Sequence, residues 1–238
     1  RSNFGTVVVT SGLAVTLVDT NAIDLGASTV TGALDVTSGA GITDSGALSV
    51  GTTSRFEVAG SSDITLDSTG TYTGAVTFTA TSGNIGNITI IDTGAITVSA
   101  GTITSLSVTS TTGAVVLAGI TSATTLNATA SGGTITDTGT LVVSGTTTLS
   151  ASGNNITLDD GSNNFGTVTV SAGNTVAISD INAINIGSST ATSLSVTTSG
   201  AGAVDLAGLN VTTLNVTTNS GDITDSGALA ITGTTTLS

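Results

Sequence analysis

Apolar residues recur in pairs spaced by two along nearly the whole chain, with a Thr, Ser or other small or polar residue between them in most cases. The pairs include Val15/Leu17, Ile23/Leu25, Leu34/Val36, Leu48/Val50, Ile64/Leu66, Val76/Phe78 and Ile96/Val98. They continue as Leu106/Val108, Val115/Leu117, Val168/Val170, Val176/Ile178, Ile184/Ile186, Leu194/Val196, Val204/Leu206 and Leu214/Val216. Alternation of period two marks short strands with one buried face. Most successive pairs begin about 8 to 12 residues apart. Gly, Asn, Asp or Ser lie between them and turn the corners, because they tolerate left-handed backbone or bond to it locally.

A longer repeat contains these strands. Ile42-Thr-Asp-Ser-Gly-Ala-Leu48 returns as Ile135-Thr-Asp-Thr-Gly-Thr-Leu141 and as Ile223-Thr-Asp-Ser-Gly-Ala-Leu229, at two unequal spacings of roughly 90 residues. A Thr-rich tail follows each copy: Gly51-Thr-Thr-Ser54, Gly145-Thr-Thr-Thr-Leu-Ser150 and Gly233-Thr-Thr-Thr-Leu-Ser238. A second block, Asn3-Phe-Gly-Thr-Val7 with Asp19-Thr-Asn-Ala-Ile23, recurs as Asn164-Phe-Gly-Thr-Val168 with Asp180-Ile-Asn-Ala-Ile184, both parts displaced equally. The unequal spacings of the first block show that corners accept insertions while strands keep their pattern, as in a stacked coil.

The expected fold is therefore all-β: a β-solenoid, specifically a right-handed parallel β-helix. It forms one continuous array over residues 1–238, with super-repeats beginning near 42, 135 and 223. Three short strands per coil give turns of roughly 20 to 30 residues and about 8 to 12 coils. Inward Val, Ile and Leu contribute roughly 1.5–3 kcal/mol each on full burial, and stacking on the same residue type in the next coil favours β-branched side chains. Corner asparagines (Asn21 and Asn182, or Asn155 and Asn164) are candidates for amide ladders.

Composition supports a thin core. With 2% aromatic residues, no Trp, no Met and 32 Gly, no wide interior can be filled at native density. Only 7% of residues are charged, and Thr, Val and Ile abound, which argues against disorder. Fifteen acidic residues face two basic ones, Arg1 and Arg55, for a net charge of −13. Nucleic acid and anionic membrane surfaces are thereby disfavoured as partners. No apolar run is long enough for a spanning helix, and the aromatic girdles of a membrane barrel are lacking, so no membrane insertion is expected. The absence of an initiator Met and of a signal-like start suggests a mature form or an internal piece of a longer chain.

The blocks Asn3–Ser28, Ile42–Ser54 and Ser220–Ser238 resemble the β-strand repeats of giant bacterial exoproteins. They are similar to filamentous-haemagglutinin-type adhesins of the two-partner secretion route and to autotransporter passengers. The resemblance implies a β-helical shaft, an extracellular or bacterial cell-surface location, and a role in adhesion, aggregation or biofilm. It implies contact with other cells or surfaces, and exposed strand edges add self-association, end to end or laterally.

Catalysis lacks parts: there is no His, Cys or Lys, so no enzyme activity and no cofactor are expected. The repeated Asp44, Asp137 and Asp225 are read as Asx turns, accepting a nearby backbone N–H. Asp159 and Asp160, the only adjacent acidic pair, are the best metal candidates, with Ca²⁺ as the fitting ion for hard oxygen ligands. The Thr-x-Thr pairs Thr77/Thr79, Thr102/Thr104, Thr134/Thr136 and Thr167/Thr169 raise an ice-binding reading. Against it, they do not recur in every coil at one phase. A structural shaft is the favoured function, and a direct glycan- or protein-binding module is the alternative. The scarcity of aromatic platforms argues against sugar binding.

Overall fold

The computed structural model describes residues 2–238 as 24 strands joined by turns, with no helix among them. Every strand pairing is parallel and joins one coil to the next, giving a β-solenoid of about 12 turns. One inward column runs Ile23, Ile42, Ile64, Ile88, Leu106, Leu126, Thr147, Val168, Ile186 and Leu206, each residue in register with the next. A second face stacks Ile96, Val115, Ile135, Ile156, Val176, Leu194 and Leu214. A third, shorter face stacks Val30, Val50 and Tyr72 near one end, and Ser189, Leu209 and Leu229 near the other.

Coil length is not constant. Asp63 and Asn87 are bonded one coil apart at a sequence separation of 24, whereas Asn87 and Ser105, again one coil apart, are separated by only 18. The largest side chains sit where coils are long. Phe56 stacks on Phe78 at a centroid distance of 6.0 Å and meets Tyr72 edge-on at 6.4 Å. Longer coils enclose a wider interior, which aromatic rings fill and Val or Ala would leave void. All the apolar pairs named above are buried except Val15/Leu17, which are partly buried in the first coil.

Two glycine positions of the long repeat have a common cause. A Cβ on Gly46, Gly139 or Gly227 would fall no more than 3.0 Å from backbone atoms of Ala27, Ala118 or Ala207 in the preceding coil. Likewise Gly51, Gly145 and Gly233 abut the carbonyls of Thr31, Thr124 and Thr212. At these corners the chain passes so close to the coil below that only a residue without a side chain fits.

Candidate functional site

The acidic residues fall into distinct environments. Asp35 and Glu57 flank Arg55 on an outward strand face, each at 2.8 Å from the guanidinium. Asp24 accepts hydroxyl bonds from Thr43 and Ser45 of the next coil, and Asp205 accepts the equivalent bonds from Thr224 and Ser226. These ties explain why the Thr and Ser of the Ile-Thr-Asp-Ser-Gly block recur at the first and third copies. In the middle copy Val116 occupies the acidic position, so the pair is missing there.

The repeated aspartates are not local Asx turns. Asp44 Oδ1 accepts the backbone N–H groups of Asp67 at 2.9 Å and Ser68 at 3.1 Å, both in the next coil. Asp137 accepts N–H from Asp159 at 3.2 Å and Asp160 at 3.4 Å, and the Nδ2 of Asn163 at 2.6 Å. Both carboxylates thus cap backbone N–H groups one coil further along the chain, those of Asp44 inside the strand Ile64–Tyr72 and those of Asp137 just after the strand Ile156–Leu158. Asp225 lies exposed in the last described coil.

Asp159 and Asp160 therefore belong to a polar corner wrapped around Asp137. Asp160 also accepts the N–H of Ser162 at 2.9 Å, and the buried Asn163 accepts that of Leu141 at 2.8 Å. Among the described residues, no three acidic side chains gather into a set that would hold a metal ion. The asparagine pairs named from sequence do not stack: Asn21 and Asn182 lie in distant coils. An amide contact does join Asn174 to Asn155, at 3.2 Å.

Two buried aspartates share one constellation. Asp19 accepts N–H from Phe4 at 2.7 Å and Asn21 at 3.0 Å; Asp180 accepts Phe165 at 2.6 Å and Asn182 at 2.7 Å. The N–H bonds from Asn21 and Phe4 hold the Asp19 carboxyl below its usual range, whereas burial pushes Asp180 up. Ser28 and Ser189 repeat likewise, accepting the N–H of Val9 and Val170. Sequence reading missed Asp92, fully buried at the end of the strand Ile85–Asp92.

Of the Thr-x-Thr pairs, Thr167/Thr169 stack in register on Thr146/Thr148, while Thr77/Thr79 lie on another face above Arg55 and Glu57. An open groove of about 400 Å³ runs across several coils past Ser152, Asn174, Thr190, Asn210 and Thr212, with no charged residue in its lining.

No curated protein and no solved structure is significantly similar to this chain. A family model described as Repeats of unknown function (DUF5649) matches residues 12–79, 105–172 and 200–238. The first two stretches begin as far apart as Ile42 and Ile135, so the family's unit keeps step with the long repeat. With well over half its length matched, and with hydrogen bonds that repeat along with the sequence, the chain belongs to this DUF5649 repeat family.

Proposed function

We propose that the chain is a non-catalytic shaft segment of a secreted bacterial cell-surface protein, one that holds adhesive or aggregating parts away from the cell. The observation that carries this reading is the uninterrupted parallel ladder: each coil bonds to its neighbours through backbone groups and a thin apolar column. Such a stack is linear by construction, and its stability accumulates coil by coil. About 12 turns at a strand spacing of roughly 4.7–4.9 Å make a rod roughly 55–60 Å long. The repeated Gly corners and inter-coil carboxylate caps serve that stacking.

Small-angle scattering and electron microscopy of the purified chain test the proposal. Rods of that length, lengthening by about one strand spacing for each coil inserted, support it. A compact particle would sink it. Direct glycan binding is the second reading, favoured by the uncharged groove on an otherwise acidic chain. A glycan array with a saturable hit, abolished by Asn174→Ala or Asn210→Ala, would replace the shaft with a binding module.

A further inference from the structure

The interior holds one corner that the shaft reading does not use. Asp44, Tyr72 and Asp92 belong to three successive coils and are 7%, 1% and 1% exposed. The ring of Tyr72 lies over Gly70, where a Cβ would collide with it. Asp92 pairs with Gly70 from the following coil, and its Oδ1 accepts the N–H of Tyr72 at 3.2 Å. From the preceding side, Asp44 Oδ1 accepts the N–H groups of Asp67 and Ser68, in the strand that carries Tyr72.

Each group leaves one polar atom over. Asp44 Oδ2, Asp92 Oδ2 and Tyr72 Oη are all buried and lack a hydrogen-bond partner. Asp19 and Asp180 differ, since both of their oxygens are bonded. The phenol proton is bonded to neither carboxylate. Burial, and then both carboxylates, push the phenol far above its usual range. An unpaired buried charge is costly, and among the described residues only the backbone N–H bonds at each Oδ1 offset these two. Among those residues the one basic side chain is Arg55, already held by Asp35 and Glu57. The balance comes from solution, as a bound cation or as a proton, which burial of both carboxyls favours.

We propose that this corner is an interior site for a hard cation of the calcium type, with Asp44 Oδ2, Asp92 Oδ2 and Tyr72 Oη as its side-chain ligands. Two carboxylate oxygens and a phenol oxygen form an all-oxygen donor set of the kind such ions take, with backbone carbonyls or water completing the shell. A bound ion would tie three coils together through one point, at the stretch where the aromatic residues cluster.

Tyr72 is the only tyrosine, and there is no Trp. Terbium emission excited through tyrosine therefore reports on this corner alone. The whole chain, refolded from denaturant after chelation, is titrated with Tb³⁺ alone and then challenged with Ca²⁺. The expected result is saturable emission, displaced by Ca²⁺ and weakened about tenfold or more in affinity by Asp92→Asn or Asp44→Asn. Asp159→Asn leaves it unchanged. Should the carboxylate variants fail to fold, Tyr72→Phe keeps the test open: Ca²⁺ raises the wild-type melting temperature and raises that of Tyr72→Phe less. Absence of sensitised emission from folded protein, or a melting temperature that answers to pH but not to Ca²⁺, overturns the cation site and assigns the counter-charge to a proton. Neither result bears on the rod shape, so the site and the shaft fail independently.

Discussion

The carboxylate of Asp180 accepts the backbone N–H of Phe165 at 2.6 Å across one full coil, and Asp19 holds Phe4 in the same way in the earlier copy of the block. The repetition in sequence is therefore a repetition of bonds. Asp180 also bonds Asn182 in its own turn, so a single side chain fixes both the corner and its stacking on the coil below.

Asp180→Ala leaves two backbone N–H groups without acceptors, that of Phe165 in the interior, and is expected to cost about 1–3 kcal/mol of stability. Asp222→Ala, at an exposed corner, is expected to change stability by no more than about 0.5 kcal/mol. Denaturant unfolding of the two variants beside the wild type measures the difference. Equal losses would refute the assignment of Asp180 as an inter-coil cap.

The twin carboxylates should respond to pH in opposite directions. Burial raises Asp180 in the folded state, so its contribution is most favourable below the unfolded value of about 3.9 and declines as pH rises through the folded value. Hydrogen bonds lower Asp19, so its contribution is present above that value and is lost as pH falls through the folded one. Melting temperatures measured from acid to neutral pH check this. The wild-type advantage over Asp180→Asn should shrink as pH rises, and the advantage over Asp19→Asn should grow.

Glycines at close-approach corners should tolerate nothing larger, whereas others should. Gly46→Ala drives a methyl group into the backbone of Ala27 and is expected to destabilise by about 1–3 kcal/mol. Gly94→Ala meets no atom within 4 Å and has ordinary backbone angles. It is expected to be neutral or to gain up to about 1 kcal/mol by restricting the unfolded chain. Thermal melts that ranked the two in reverse would contradict the packing described for the Ile-Thr-Asp-Ser-Gly corner.

Thr147 stands in the apolar column between Leu126 and Val168, fully buried, with its hydroxyl unpartnered. Replacement by Val keeps the shape and removes the stranded polar group, so Thr147→Val is expected to gain about 1 kcal/mol. The flanking Thr146→Val and Thr148→Val, whose side chains face outward on the same strand, should not stabilise. A matched set of denaturation curves separates the three.

Much of this was legible beforehand. Pairs such as Ile64/Leu66 and Val176/Ile178 declare their strands because inward positions must be apolar and outward ones need not be. The block beginning at Ile42 and its copies declared the long repeat. The third face was harder to read, since Ser28 and Ser189 occupy inward positions there and bury hydroxyls bonded to Gly26 and Gly187. A run such as Thr146-Thr147-Thr148 gives no sign of which threonine turns inward.

The sequence by itself determined that this chain is a stack of short strands around a thin aliphatic core. Alternation and small side chains leave few other ways to bury so many Val and Ile residues. Only the tertiary structure decided which coil lies on which, because coil length drifts along the stack and register is set across that changing distance. For the same reason the partners of Asp44, Asp92, Asp137 and Asp180 were hidden. Each bonds to a backbone N–H that is remote along the chain and adjacent in space, and that adjacency exists only once the coils have stacked.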